Sequence, residues 1–196
     1  VLLGCGIALI LKPKKKSNLK LLLAFSGSFL LSLTVIHLLP EVYESHNSTI
    51  GIFIMLGILF QIILEFFSKG AEHGHVHGHD TMTHIPWLLF TSLCIHALLE
   101  GLPVNHHNGL ALGIAVHHLP IAIILTTFFI NARLNKKAIL FFMLVFAIMT
   151  PLGTLLANYL QVLNAYYTEI TAVVIGILFH ISSTIIFESS EGHKFN

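Results

Sequence analysis

Residues 109–130 read G-L-A-L-G-I-A-V-H-H-L-P-I-A-I-I-L-T-T-F-F-I, and residues 86–104 read P-W-L-L-F-T-S-L-C-I-H-A-L-L-E-G-L-P-V. Each is an apolar run of about 20 residues, the length that crosses a bilayer core as a helix. Yet the first holds His117 and His118, and the second holds His96 and Glu100. A charged side chain at bilayer depth costs at least ~2.5 kcal/mol, so such residues normally face a polar cavity or a partner. Imidazole nitrogens and carboxylates are also metal ligands. The same two stretches therefore define a membrane helix class and a candidate site.

The whole chain agrees with that class. It is 55% hydrophobic and 10% charged, with a mean hydropathy of +0.85. That composition excludes an ordinary soluble domain. A polytopic chain must be helical here, because lipid cannot satisfy open backbone groups. Apolar runs fall at 1–11, 19–40, 50–67, 85–104, 109–130, 138–158 and 169–188. The expectation is an all-α bundle with seven spans, residues 1–196 forming a single transmembrane domain. The first run is short, since eleven helical residues rise only ~16 Å against a hydrocarbon core of ~30 Å. The chain also begins with Val, so the first helix is expected to be partial. Cys5 and Cys94 both lie in apolar runs and read as small buried hydrophobes rather than a disulfide or a metal motif.

Basic residues set an orientation. Lys12, Lys14, Lys15, Lys16 and Lys20 surround the first connection, and Lys69 follows the third run. Arg133, Lys136 and Lys137 fill the connection after the fifth run, and Lys194 follows the seventh. The alternate connections, 41–49, 105–108 and 159–168, contain none. By the positive-inside rule the basic loops are cytoplasmic and the N-terminus is outside, as in a plasma or inner membrane. One cytoplasmic connection, 70–84, reads G-A-E-H-G-H-V-H-G-H-D-T-M-T-H. Its His73, His75, His77 and His79 alternate with small residues, a composition that suggests labile metal binding. A solvated linker is the plainer alternative.

His96 and Glu100 stand at i, i+4, so they share one helix face and can grip one cation from one side. Gly101 and Pro103 follow, and Pro103 frees the carbonyl of Leu99. His117 and His118 are adjacent and point ~100° apart. Pro120 frees the carbonyl of Val116 just before them. The connection between these two runs is short, so they are expected to be antiparallel neighbours. His96 and His117 each lie roughly ten residues from that connection, at matched depth. Hydrogen-bonded core histidines are the bland reading, and the matched His-x-x-x-Glu and His-His pairs argue against it. His37 opens H-L-L-P-E with Glu41 one turn on, either an entrance site or an interfacial cap. His180, among Ser182, Ser183 and Thr184, is a further ligand or a packing hydrogen-bond donor. Glu65 reads as a snorkelling or ion-paired residue. Ala24, Ser26, Gly27 and Ser28 read as a small-residue helix contact.

On these residues the chain resembles the ZIP family of divalent-metal transporters, the Zrt- and Irt-like proteins, along essentially its whole length. A-F-S-G-S-F-L at 24–30 with H-L-L-P-E at 37–41 resembles the family's second helix. The His-rich connection 70–84 is a family habit. H-A-L-L-E-G at 96–101 resembles the fourth-helix metal motif, and V-H-H-L-P at 116–120 the fifth. The resemblance implies that His96 and Glu100 are ligands on the fourth helix and that His117 and His118 are the first and second on the fifth. It also implies eight helices with both termini outside, which makes the last helix absent from the seven counted here. Ala97 and Ile121 stand where the family often has ligands, and neither can bind a metal. One site of His96, Glu100 and His117 is therefore expected, completed by His118, His180 or water.

The function implied is passage of a divalent transition metal toward the cytoplasm, zinc first, since zinc suits imidazole and carboxylate at low coordination number. Iron, manganese, cobalt and cadmium remain open, because affinity order does not set selectivity. The metal is cargo, so no resident cofactor and no enzyme activity are expected. The partners are the ion and the lipid bilayer, with room for a homodimer and no nucleic acid. Two alternatives belong to other classes. A membrane di-iron oxygenase would need more converging ligands, and the loop histidines lack helical spacing. A metal sensor would bind without conducting.

Overall fold

The computed structural model describes residues 1–11, 16–45, 48–68, 82, 84–106 and 108–189, and no strand occurs among them. The His-rich segment with His73, His75, His77 and His79 lies outside the described residues. Helix α1 is Leu2–Leu11 and α2 is Lys16–Leu33. A π turn, Thr34–Leu38, carries α2 into α3, Leu39–Glu44. Then come α4 (Ile50–Ser68), α5 (Trp87–Gly101), α6 (Asn108–Asn131), α7 (Lys136–Tyr159), α8 (Gln161–Ala165) and α9 (Tyr167–Ser189).

Five stretches are long and apolar enough to cross a membrane: Leu19–Glu44, Ile50–Ser68, Gly109–Asn131, Lys136–Tyr159 and Tyr167–Phe187. Two of the seven expected runs are shorter. Helix α1 has 10 residues, and α5 has 15. Proline chemistry explains why α5 stops. Pro103 has no N–H to continue the ladder, and Leu102 N–H instead bonds back to Leu99 O at 3.1 Å. The carbonyl expected to be left open at Leu99 is thus used. A 3-10 turn, Val104–His106, leads into α6. Pro120, by contrast, is carried inside a continuous α6. Pro40 is accommodated by the π turn, in which Leu39 N–H reaches Thr34 O five residues back. Single-turn π segments of this kind often sit near functional positions.

Glycines set the closest helix approaches. Gly57 of α4 faces Gly176 of α9, where a Cβ on either would strike the other helix's backbone carbonyl. Gly101 of α5 and Gly153 of α7 repeat the arrangement against the carbonyls of Thr150 and Leu98. Small residues let helix backbones touch where lipid offers no hydrophobic drive for association. The small-residue stretch near Gly27 works less closely, with Gly27 against the Ile185 side chain and Ser28 turned outward. Helix α9 also packs on α2, and α6 packs on α1 and α2, while α5 packs on α7 and α4.

The outer surface is apolar. Leu3, Ile10, Leu21, Phe66, Trp87 and Phe187 are all well exposed. Several buried hydroxyls are satisfied locally or across helices. Thr34 donates to Leu30 O at 2.8 Å, and Ser92 donates across to Leu64 O at 2.7 Å. Exposed apolar helix faces over a hydrogen-bonded interior are what a lipid solvent demands, and the chain is an all-α bundle of membrane type.

Candidate metal centre

His96 and Glu100 lie on the buried face of α5, with His117 and His118 on α6. All four are buried: 2% exposed for His96, 0% for Glu100 and His117, and 5% for His118. None points to lipid. The i, i+4 spacing does what helix geometry requires, bringing His96 Nε2 to 2.9 Å from Glu100 Oε1. Glu100 Oε2 faces the other helix, 3.1 Å from His118 Nε2. One carboxylate therefore bridges the two helices.

One ligand atom from each of His96, Glu100 and His117 lies within 4.8 Å of the others. Donors ~2.0–2.2 Å from a tetrahedral zinc ion lie roughly 3.3–3.6 Å apart, so the three draw together by up to about 1.5 Å around an ion. His118 falls outside that triad and touches it through Glu100. The adjacent histidines thus differ in role, His117 within the triad and His118 against Glu100 Oε2, with ring centroids 5.8 Å apart. The His118 ring also packs on Phe146 of α7 at 5.1 Å. Ala97 and Ile121, the two positions without ligating side chains, both sit in the apolar cluster beside the site.

The two helices were expected to be antiparallel neighbours, and they meet through these side chains rather than by close backbone packing. Their backbones make little contact, and α5 leans on α7 and α4 instead. Long polar side chains bridge the interval between α5 and α6. The glycine pair Gly101–Gly153 draws α5 away, and a short connection constrains only the helix ends.

The remaining candidates lie elsewhere. His180 of α9 does not complete the triad; its Nε2 pairs with Glu65 Oε2 of α4 at 2.5 Å. That pairing joins two residues that the sequence presented separately. His37 is exposed within the π turn, and Glu41 lies in hydrogen-bond contact with Tyr167. Neither reaches the triad. One residue at the site carried no signal in the sequence. Gln61 of α4 is fully buried, and its Oε1 is 3.1 Å from His96 Nδ1. An isolated amide in an apolar run forms no motif, though its polarity at mid-helix could have flagged it.

Chemically, the site offers two imidazoles and one carboxylate from two helices, inside an apolar shell. That donor set fits a borderline divalent cation such as zinc, with a coordination position left for water or a passing ligand. No family model, curated protein or solved structure matches the chain.

Proposed function

We propose that this chain is a divalent-metal transporter of the ZIP kind, carrying zinc foremost across the membrane toward the cytoplasm. The carrying observation is the triad: three ligating side chains within 4.8 Å of one another, buried between α6, long enough to cross a bilayer, and the shorter apolar helix α5. On this reading α1 and α5 complete a set of seven spans, and the basic connections face the cytoplasm. Three protein ligands with an open position can strip water from the ion yet release it.

The packing supports alternating access by rocking helix groups, the motion expected for a transporter site between helix groups. Helices α4 and α9 form one tight pair, and α5 and α7 another. The outer end of the second pair is also clamped by Asn105, which bonds Thr154 O at 3.1 Å and the Asn158 side chain. The ligands stand on α5 and α6, where backbones are apart. A relative shift of α5 and α6 opens or closes the coordination sphere without breaking a core.

The test is zinc uptake into proteoliposomes by the intact protein and by His96→Ala. Uptake by the former and not the latter is expected. Equal uptake by both would reject the site, and saturable binding without flux would identify a sensor instead.

A further inference from the structure

His96 is held at both ring nitrogens. Nε2 lies 2.9 Å from Glu100 Oε1, and Nδ1 lies 3.1 Å from Gln61 Oε1. A neutral imidazole has one N–H and one lone pair, and the partner of one nitrogen decides the role of the other. An amide oxygen only accepts, so Nδ1 donates to it; Nε2 then offers its lone pair to a cation held between it and Glu100, and without the cation it meets the carboxylate as a proton donor. The opposite tautomer would present an N–H to the site and could not ligate there.

We propose that Gln61 is a positioning residue of this site: an amide acceptor on α4 that fixes His96 in the tautomer whose Nε2 binds the cation. The inference rests on the metal-transport reading above. Metal-ligating histidines characteristically give their other N–H to a fixed acceptor, which sets ring orientation and tautomer. Gln61 is well placed for it. It is fully buried, and its register opposite His96 is pinned by the neighbouring Ser92 hydroxyl bonding to Leu64 O. Its neutrality matters as well. A carboxylate in its place would fix the same tautomer but make the ring a stronger donor, holding the ion longer.

The bond also crosses between helix pairs. Gln61 belongs to the helix that packs on α9, and His96 to the helix that packs on α7. The ligating tautomer is therefore tied to the packing of α4 on α5.

The experiment compares wild type, Gln61→Met, Gln61→Glu and His96→Ala in lipid nanodiscs and proteoliposomes, with zinc alone as the probe. Gln61→Met keeps the volume but accepts no hydrogen bond at the amide position, and should lose 10- to 100-fold in zinc affinity, the usual effect of losing such a partner. Gln61→Glu, as its carboxylate, can only accept, so it should keep or tighten affinity, with both KM and maximal uptake rate falling. Nitrogen-15 NMR of zinc-loaded protein should show the His96 ring protonated at Nδ1 and metal-bound at Nε2 in wild type and Gln61→Glu, and an incompletely bound ring in Gln61→Met. Loss of affinity in both Gln61 variants would overturn the proposal, since it would mean that the amide acts as a donor or as mere packing. Wild-type affinity in Gln61→Met, with His96→Ala defective, would overturn it while leaving the metal site intact. Absence of zinc binding by wild type would remove the site and the inference together.

Discussion

Replacing Glu100 with Gln changes one oxygen to an NH2 group at nearly constant volume, at the point where the two helices are bridged. Glu100 is 0% exposed and touches His96 at 2.9 Å and His118 at 3.1 Å. If the site binds zinc, the variant leaves a buried divalent ion without its anionic partner. Removing one partner of a buried charge pair costs about 3–5 kcal/mol, or about 10²- to 10⁴-fold in affinity. The effect on stability runs the other way without metal, because a buried carboxylate is itself expensive and a neutral amide is less so. The assay is thermal unfolding in nanodiscs with and without zinc. At 100 times the wild-type Kd, zinc should add about 2.7 kcal/mol to the wild type, and about 0.4 kcal/mol to a site weakened 100-fold. For a chain of this size that is a rise of about 5–10 °C falling to about 1 °C. Metal-free Glu100→Gln should unfold no earlier than the wild type. A variant that keeps the full zinc-dependent rise, or that is strongly destabilised before zinc is added, would show that Glu100 serves the fold and not the ion.

Two further outcomes follow from the same geometry. Ligand histidines must be unprotonated, so zinc affinity should fall with acidification by up to ~100-fold per pH unit once both imidazoles compete with protons, and by only ~10-fold in His117→Ala. Competition against a chromophoric chelator over a pH series measures this, and a flat profile would exclude histidine ligation. Gly153→Ala should cost more than the ~1–3 kcal/mol of ordinary overpacking, because the added methyl meets the Leu98 backbone carbonyl rather than a movable side chain. It should also lower zinc affinity by shifting Glu100, next to Gly101. Wild-type unfolding and binding would show that α5 and α7 do not touch there.

Much of the architecture was legible because lipid simplifies the code. A run of about 20 apolar residues has one stable backbone solution, so 50–67, 109–130, 138–158 and 169–188 correspond closely to α4, α6, α7 and α9. The triad was legible for the complementary reason, since an i, i+4 His–Glu pair inside such a run has few structural uses. What escaped was information carried by pairs distant in sequence. Gly57 means little until Gly176 lies across from it, and Gly101 until Gly153 does. Glu65 and His180 each looked isolated, yet they meet at 2.5 Å. Gln61 has no charge and no repeat to announce it. The shortness of the connection between α5 and α6 told only part of the packing, because it fixes the helix ends near one another and says nothing of which neighbour each helix prefers along its length.

That last point bears on how a buried site can release an ion. Helix α5 is drawn toward α7 by backbone contact at Gly101–Gly153, and α6 is drawn toward α1, where Gly4 lies against the Leu119 carbonyl. The interval between α5 and α6 is left to be bridged by His96, Glu100, His117 and His118, side chains long enough to reach and polar enough to need a partner. Were α5 and α6 packed backbone to backbone, the site could open only by breaking a close-packed interface. With the bridge made by side chains alone, a shift of an ångström or two removes His117 from a sphere whose donors must stay ~2.0–2.2 Å from zinc. The seam supplies the ligands from one wall each, and the glycine contacts behind both walls keep them stiff enough to move as units. If the ion crosses here, it is the weakness of the α5–α6 contact, as much as the identity of the ligands, that lets it leave.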